Sequence, residues 1–130
     1  MRVLAVAISA GMRARLSRQL APLDIRIVYA GAAAEIARLN PEDIFEVALV
    51  PAILSNTEWW ALWGAICLMN CRPSILVYTR NPSFELWTGV LEMGGYDVIV
   101  EPFTDEQIQE AILRAAQNFR ERLVNNTAQP

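Results

Sequence analysis

Apolar runs and helical patterns alternate along the chain from end to end. Val3–Ile8 is a continuous apolar run, as expected for a parallel strand buried on both faces. Met12, Leu16 and Leu20 then recur every fourth residue with Arg13, Arg15 and Arg18 off the stripe, which predicts a helix. Ile25–Ala30 reads as a second strand, less purely apolar because of Arg26, and Ala32–Leu39 as a weak helix stopped by Asn40-Pro41. Phe45–Val50, Ile75–Thr79 and Val98–Val100 are the third, fourth and fifth strands. Ser55 and Glu58 have the spacing of a capping box that opens a third helix, and Pro73 lies beyond its end. Asn81 as cap with Pro82 at the first helical position starts the fourth helix, which stops at Gly94-Gly95. Thr104 and Gln107 cap the last helix, whose stripe is Ile108, Ala111, Ile112, Ala115 and Phe119. Asp105 and Glu106 at its start and Arg120 and Arg122 at its end suit the helix dipole.

Five strands alternating with five helices over short loops imply a doubly wound α/β domain, with a parallel sheet covered by helices on both faces. The 130 residues suffice for one domain, residues 1–124, followed by a short polar tail, Asn125–Pro130. No repeat or linker divides it. An apolar fraction of 54% against 19% charged residues describes a packed core, not a disordered chain.

Composition narrows the chemistry. The chain has no His and no Lys, which removes imidazole catalysis, His metal ligands, Schiff bases and a P-loop lysine together. All eleven basic residues are Arg, the net charge is −3, and no basic run carries interleaved aromatics, so no nucleic-acid partner is expected. Cys67 and Cys71, four apart, lack the companions of a zinc site and read as buried or half-buried thiols in a reducing cytoplasm. The opening MRVLAVAIS is better explained by a first strand than by a signal peptide. The longest apolar run, Trp59 to Met69, is too short for a bilayer, which needs about 20 residues. No cofactor and no membrane partner are expected.

The segment from Tyr78 to Phe103 carries the most specific signal. A strand ends on the hydroxyl of Thr79, a helix runs to the Gly94-Gly95 pair, and an apolar strand leads into Glu101-Pro102-Phe103. This resembles the receiver domain of two-component response regulators, the CheY-like superfamily, where the last strand ends in Lys-Pro-Phe. The resemblance implies the flavodoxin-like strand order 2-1-3-4-5, a ligand site at the carboxyl ends of the strands, and a cis peptide before Pro102. It also implies an acidic pair that holds Mg²⁺, a phosphate-accepting Asp and a phosphate-pairing Lys. These fall on Ala7 and Ile8, on Pro51 and on Glu101; the aromatic switch position falls on Val98, and only Thr79 is retained. A degenerate receiver follows as the expectation: no Mg²⁺ site, no aspartyl phosphorylation and no enzymatic activity. The alternative is a flavodoxin-like domain that binds a small ligand at the same strand ends, using Ser9, Thr79 and backbone amides.

The third helix is more apolar than one buried face requires. Trp59, Leu62, Trp63, Ile66 and Met69 fall on one arc, toward the sheet, while Trp60, Ala61, Gly64, Ala65, Cys67 and Leu68 fall opposite, toward water. The next helix adds Phe84, Leu86, Trp87, Val90, Leu91 and Met93. A contact surface made by Trp60, Ala61, Gly64, Cys67, Leu68 and Trp87 is therefore expected, with a homodimer as the simplest partner. The anticipated role is that of a stand-alone signalling domain.

Overall fold

Within each strand, alternate residues feed two separate cores. Val3, Ala5, Val47, Leu49, Leu76 and Tyr78 face one side of the sheet, whereas Leu4, Val6, Ala48, Val50, Ile75 and Val77 face the other. The computed structural model describes residues 1–6, 8–52 and 56–128, so Ala7 and Ser55 lie outside the described residues. Its elements are β1 (Arg2–Val6), α1 (Ala10–Leu20), β2 (Arg26–Ala30), α2 (Ala33–Ala37), β3 (Val47–Pro51), α3 (Asn56–Cys67), β4 (Ser74–Thr79), α4 (Phe84–Glu92), β5 (Asp97–Val100) and α5 (Asp105–Ala128). All pairings are parallel and the order is β2-β1-β3-β4-β5, as the resemblance implies. Helices α1 and α5 cover the first face through Met12, Leu16, Leu20, Ile108 and Ile112. Helices α2, α3 and α4 cover the second through Ile36, Leu62, Trp63, Ile66 and Val90.

Local chemistry fixes where these helices begin and end. Thr104 and Gln107 cap α5 reciprocally: Gln107 N donates to Thr104 Oγ1 at 3.1 Å, and Thr104 N to Gln107 Oε1 at 2.8 Å. Helix α4 starts later than expected, with Ser83 and not Asn81 as its cap. The Ser83 hydroxyl accepts from Leu86 N at 3.0 Å, while the Asn81 N–H is held by Thr79 Oγ1 at 3.0 Å, which leaves Asn81-Pro82 in the turn.

At its other end, α4 closes in a Schellman motif. Gly94, with φ at 89°, donates to Leu91 O, and Gly95 N donates to Val90 O at 2.8 Å. A Cβ on Gly95 would stand 2.5 Å from Val90 Cγ1 and 3.0 Å from the Trp63 ring, so this glycine lets α3 close over the end of α4. Trp63 Nε1 completes the junction by donating to Met93 O at 3.2 Å. Residues 125–128 of the supposed tail continue α5, since no Gly or Pro interrupts them. The Glu101–Pro102 peptide is cis.

Candidate functional site

The carboxyl edge of the sheet brings together the ends of β1, β3, β4 and β5, and with them Ile8, Pro51, Thr79 and Glu101. Ile8 and Pro51 are buried there and offer no side-chain donor or acceptor. The polar groups on this edge serve the protein itself. Ser9 caps α1, with its hydroxyl accepting from Met12 N at 3.3 Å, and Arg13 Nε donates to Ile8 O at 3.4 Å. Buried Thr79 holds the turn through Asn81, and its carbonyl accepts from Glu101 N at 2.8 Å.

Glu101 is engaged by Arg80 Nε at 3.3 Å; its side chain is 10% exposed and that of Arg80 70%. Burial, and secondarily the Glu101 charge, push the Tyr78 phenol from 10.0 up to about 12, so Tyr78 stays neutral in this wall. Arg15, Arg80, Glu101 and Pro102 border a cavity of about 340 Å³. No three metal-ligating side chains lie together among the described residues.

A second candidate surface lies on the other side of the molecule's sheet, across α2 and α3. Trp60 and Leu68 stand 61% and 87% exposed, while Leu62, Trp63 and Ile66 are buried, as the periodicity of α3 predicts. Ala61, Gly64 and Cys67 are exposed on the same outward side; Cys67 is thus not the sheltered thiol expected, whereas Cys71 is half-buried. Between α2 and α3 runs a groove of about 610 Å³ floored by Ala33, Ala34, Ala37, Gly64 and Ala65, with Trp60 and Leu68 on its walls. The contribution of α2 was not anticipated, although the run Ala32-Ala33-Ala34 is its signal. Trp87 does not line this groove. It belongs to an exposed stripe on α4 with Phe84 and Leu91, its ring 6.1 Å from that of Phe84.

No protein-family model matches the chain, and no curated protein matches it. Solved structures do. A CheY-like response regulator receiver domain protein from Methanospirillum hungatei JF-1 superposes with a TM-score of 0.75 at 20% identity, over 93% of this chain and 97% of that one. The signal receiver domain of an HD domain-containing protein from Pseudomonas fluorescens Pf-5 gives 0.75 at 19%, over 92% and 97%. An adenylate cyclase structure from Rhodopirellula baltica gives 0.81 at 17%, over 97% and 94%. The chain has the receiver fold. None of its described helices is long and apolar enough to cross a membrane.

Proposed function

We propose that this chain is a receiver-fold regulatory domain that works by protein–protein contact, without aspartyl phosphorylation or other catalysis, in the cytoplasm. The observation that carries this reading is the contrast between its two candidate surfaces. At the carboxyl edge Pro51 stands where the resemblance calls for a nucleophile, and Glu101, paired with Arg80, stands where it calls for a cation. A carboxylate there repels a phosphoryl group, and neither Ile8 nor Pro51 can ligate a metal. The small cavity bordered by Arg15, Arg80 and Glu101 supports small-ligand binding as a second reading, but Arg80 there is already paired with Glu101.

The α2–α3 face, by contrast, leaves two bulky apolar side chains in water beside a groove floored by Ala and Gly. Knob and hole adjoin on one surface, which suits a twofold contact in which each copy's Trp60 and Leu68 enter the partner's groove. Burying such a face removes a few hundred Å² from water, worth several kcal/mol at about 25 cal/mol per Å² before the cost of association. Two measurements test the reading. Incubation with acetyl phosphate and Mg²⁺ should add no mass, and light scattering at tens of micromolar should give the mass of two chains. A stable phosphoryl adduct would sink the first half of the reading, and a one-chain mass the second.

A further inference from the structure

At the amino edge of β4, two arginines share a cavity that no described carboxylate lines and that meets the α2–α3 groove along Met69, Asn70 and Cys71. Arg122 of α5 is fixed there by neutral acceptors. Its Nη2 donates to Arg72 O at 2.9 Å and Ser74 Oγ at 3.1 Å, and its Nε to Asn118 Oδ1 at 3.3 Å. Ser74 Oγ donates to the same Asn118 Oδ1 at 2.7 Å, so the acceptors are themselves held in place. Arg72 lies over Gly94, with its Nη1 2.8 Å from the point a Cβ would occupy.

Arg2, Arg18, Arg80 and Arg120 each have a carboxylate within 4 Å; Arg72 and Arg122, like the five other arginines, have none among the described residues. Both are half-buried. Burial, and then the charge of Arg72, lower the pKa of Arg122, as expected of like charges that lack a counter-ion. Glu46 is already paired with Arg120 at 3.1 Å. The cavity measures about 380 Å³; Asn70 and Cys71 also line it, as do the apolar Met69 and Phe119, the Phe119 ring lying under the Arg122 guanidinium at 5.7 Å. That volume is in the range of small-ligand sites and an order of magnitude above the ~30 Å³ of one water.

We propose that this cavity is an oxyanion site for a small doubly charged ligand of the phosphate-monoester class. Arg122 is the fixed half of the clamp, with its two Nη1 protons donated to no acceptor among the described residues. Arg72, whose guanidinium donates to no acceptor among the described residues, is the movable half. Planar guanidiniums match the oxygens of a phosphate two at a time, and a dianion relieves the repulsion between them. The apolar flanks leave room for a small organic body behind the charged head.

Inorganic phosphate is the probe, titrated into the protein at constant ionic strength against chloride and followed by amide chemical shifts. Saturable shifts at residues 70–72 and 119–123 are expected in the millimolar range. Arg72→Gln removes a guanidinium that caps nothing, so it should weaken phosphate binding by about tenfold or more while leaving the fold's spectrum intact. Arg72→Glu should abolish binding and raise the melting temperature without phosphate, because the new carboxylate supplies the counter-ion Arg122 lacks. The proposal is overturned if no saturable shift develops by tens of millimolar, if the shifts lie elsewhere, or if Arg72→Gln binds phosphate as the parent does. This site does not depend on the α2–α3 contact: a monomer that binds phosphate refutes only the contact, and a dimer that does not refutes only the site.

Discussion

The carboxyl edge of the sheet and the α2–α3 face are opposite kinds of surface. On the edge, Ser9, Thr79 and Glu101 each carry a polar group, and each group is already engaged within the chain. On the face, Trp60 and Leu68 carry large apolar groups that the described residues leave mostly exposed. A ligand arriving at the edge must displace an internal bond for each new one it makes, so the net gain is small. A partner arriving at the face displaces only water. The polar residues of this edge therefore hold the fold together, and the apolar ones of the face are left exposed.

The largest expected effect breaks the face outright. Leu68→Glu, or Gly64→Arg where a Cβ meets nothing within 4 Å, places charge at the centre of the contact and should return the light-scattering mass to one chain. The unfolding free energy of Leu68→Glu should change by less than about 0.5 kcal/mol, since the position is exposed, and Gly64→Arg should gain up to about 1 kcal/mol of helix propensity inside α3. Next comes the seat beneath the face. Gly95→Leu drives atoms into Val90 and Trp63, so urea unfolding should show a loss of about 3 kcal/mol, and an unchanged midpoint would mean α3 does not rest there.

A pH titration probes the edge. The Tyr78 phenol is raised from 10.0 to about 12 in the fold, so its contribution is complete below pH 10 and is lost as pH rises through 12. Its size is about 2–3 kcal/mol, and phenolate absorbance read alongside stability should show both ends of that window. Glu101→Gln should lower this pKa only partly, because burial is the larger cause. Thr79→Val keeps the shape but removes the acceptor for Asn81 N, a loss of about 1 kcal/mol in the same unfolding assay. The smallest effect expected is none: Pro51→Asp alone should stay unphosphorylated with acetyl phosphate and Mg²⁺. Ala7→Asp, Ile8→Asp, Pro51→Asp and Glu101→Lys together are the minimum that could gain an adduct, and an adduct on the single variant would show that the carboxyl edge retains phosphoryl chemistry.

Much of this was legible in the residues. Val3–Val6, Val47–Val50 and Ile75–Val77 are buried on both faces and so had to be apolar throughout, which makes their strands visible without any partner in view. Thr104 and Gln107 cap a helix with each other, a local bond that local spacing reveals. Two features stay hidden in the sequence because a bond comes from elsewhere in the chain. Asn81 looks as good a cap as Ser83 until Thr79 claims its N–H. The Arg80–Glu101 pair joins residues 21 apart on different strand ends, and no periodicity carries that information. The outward stripe of α3 was readable because a helix's period fixes its faces, but the floor contributed by α2 depends on how two helices pack.

Met69, Asn70 and Cys71 line both the α2–α3 groove and the arginine cavity, so one short stretch of chain is a party wall between them. Thermodynamic linkage then constrains the pair whatever their occupants. If filling one room shifts the wall, it changes affinity in the other by some factor, and filling the other must return the same factor. Only where that factor differs from one does a measurement on one side of Asn70 report on the other.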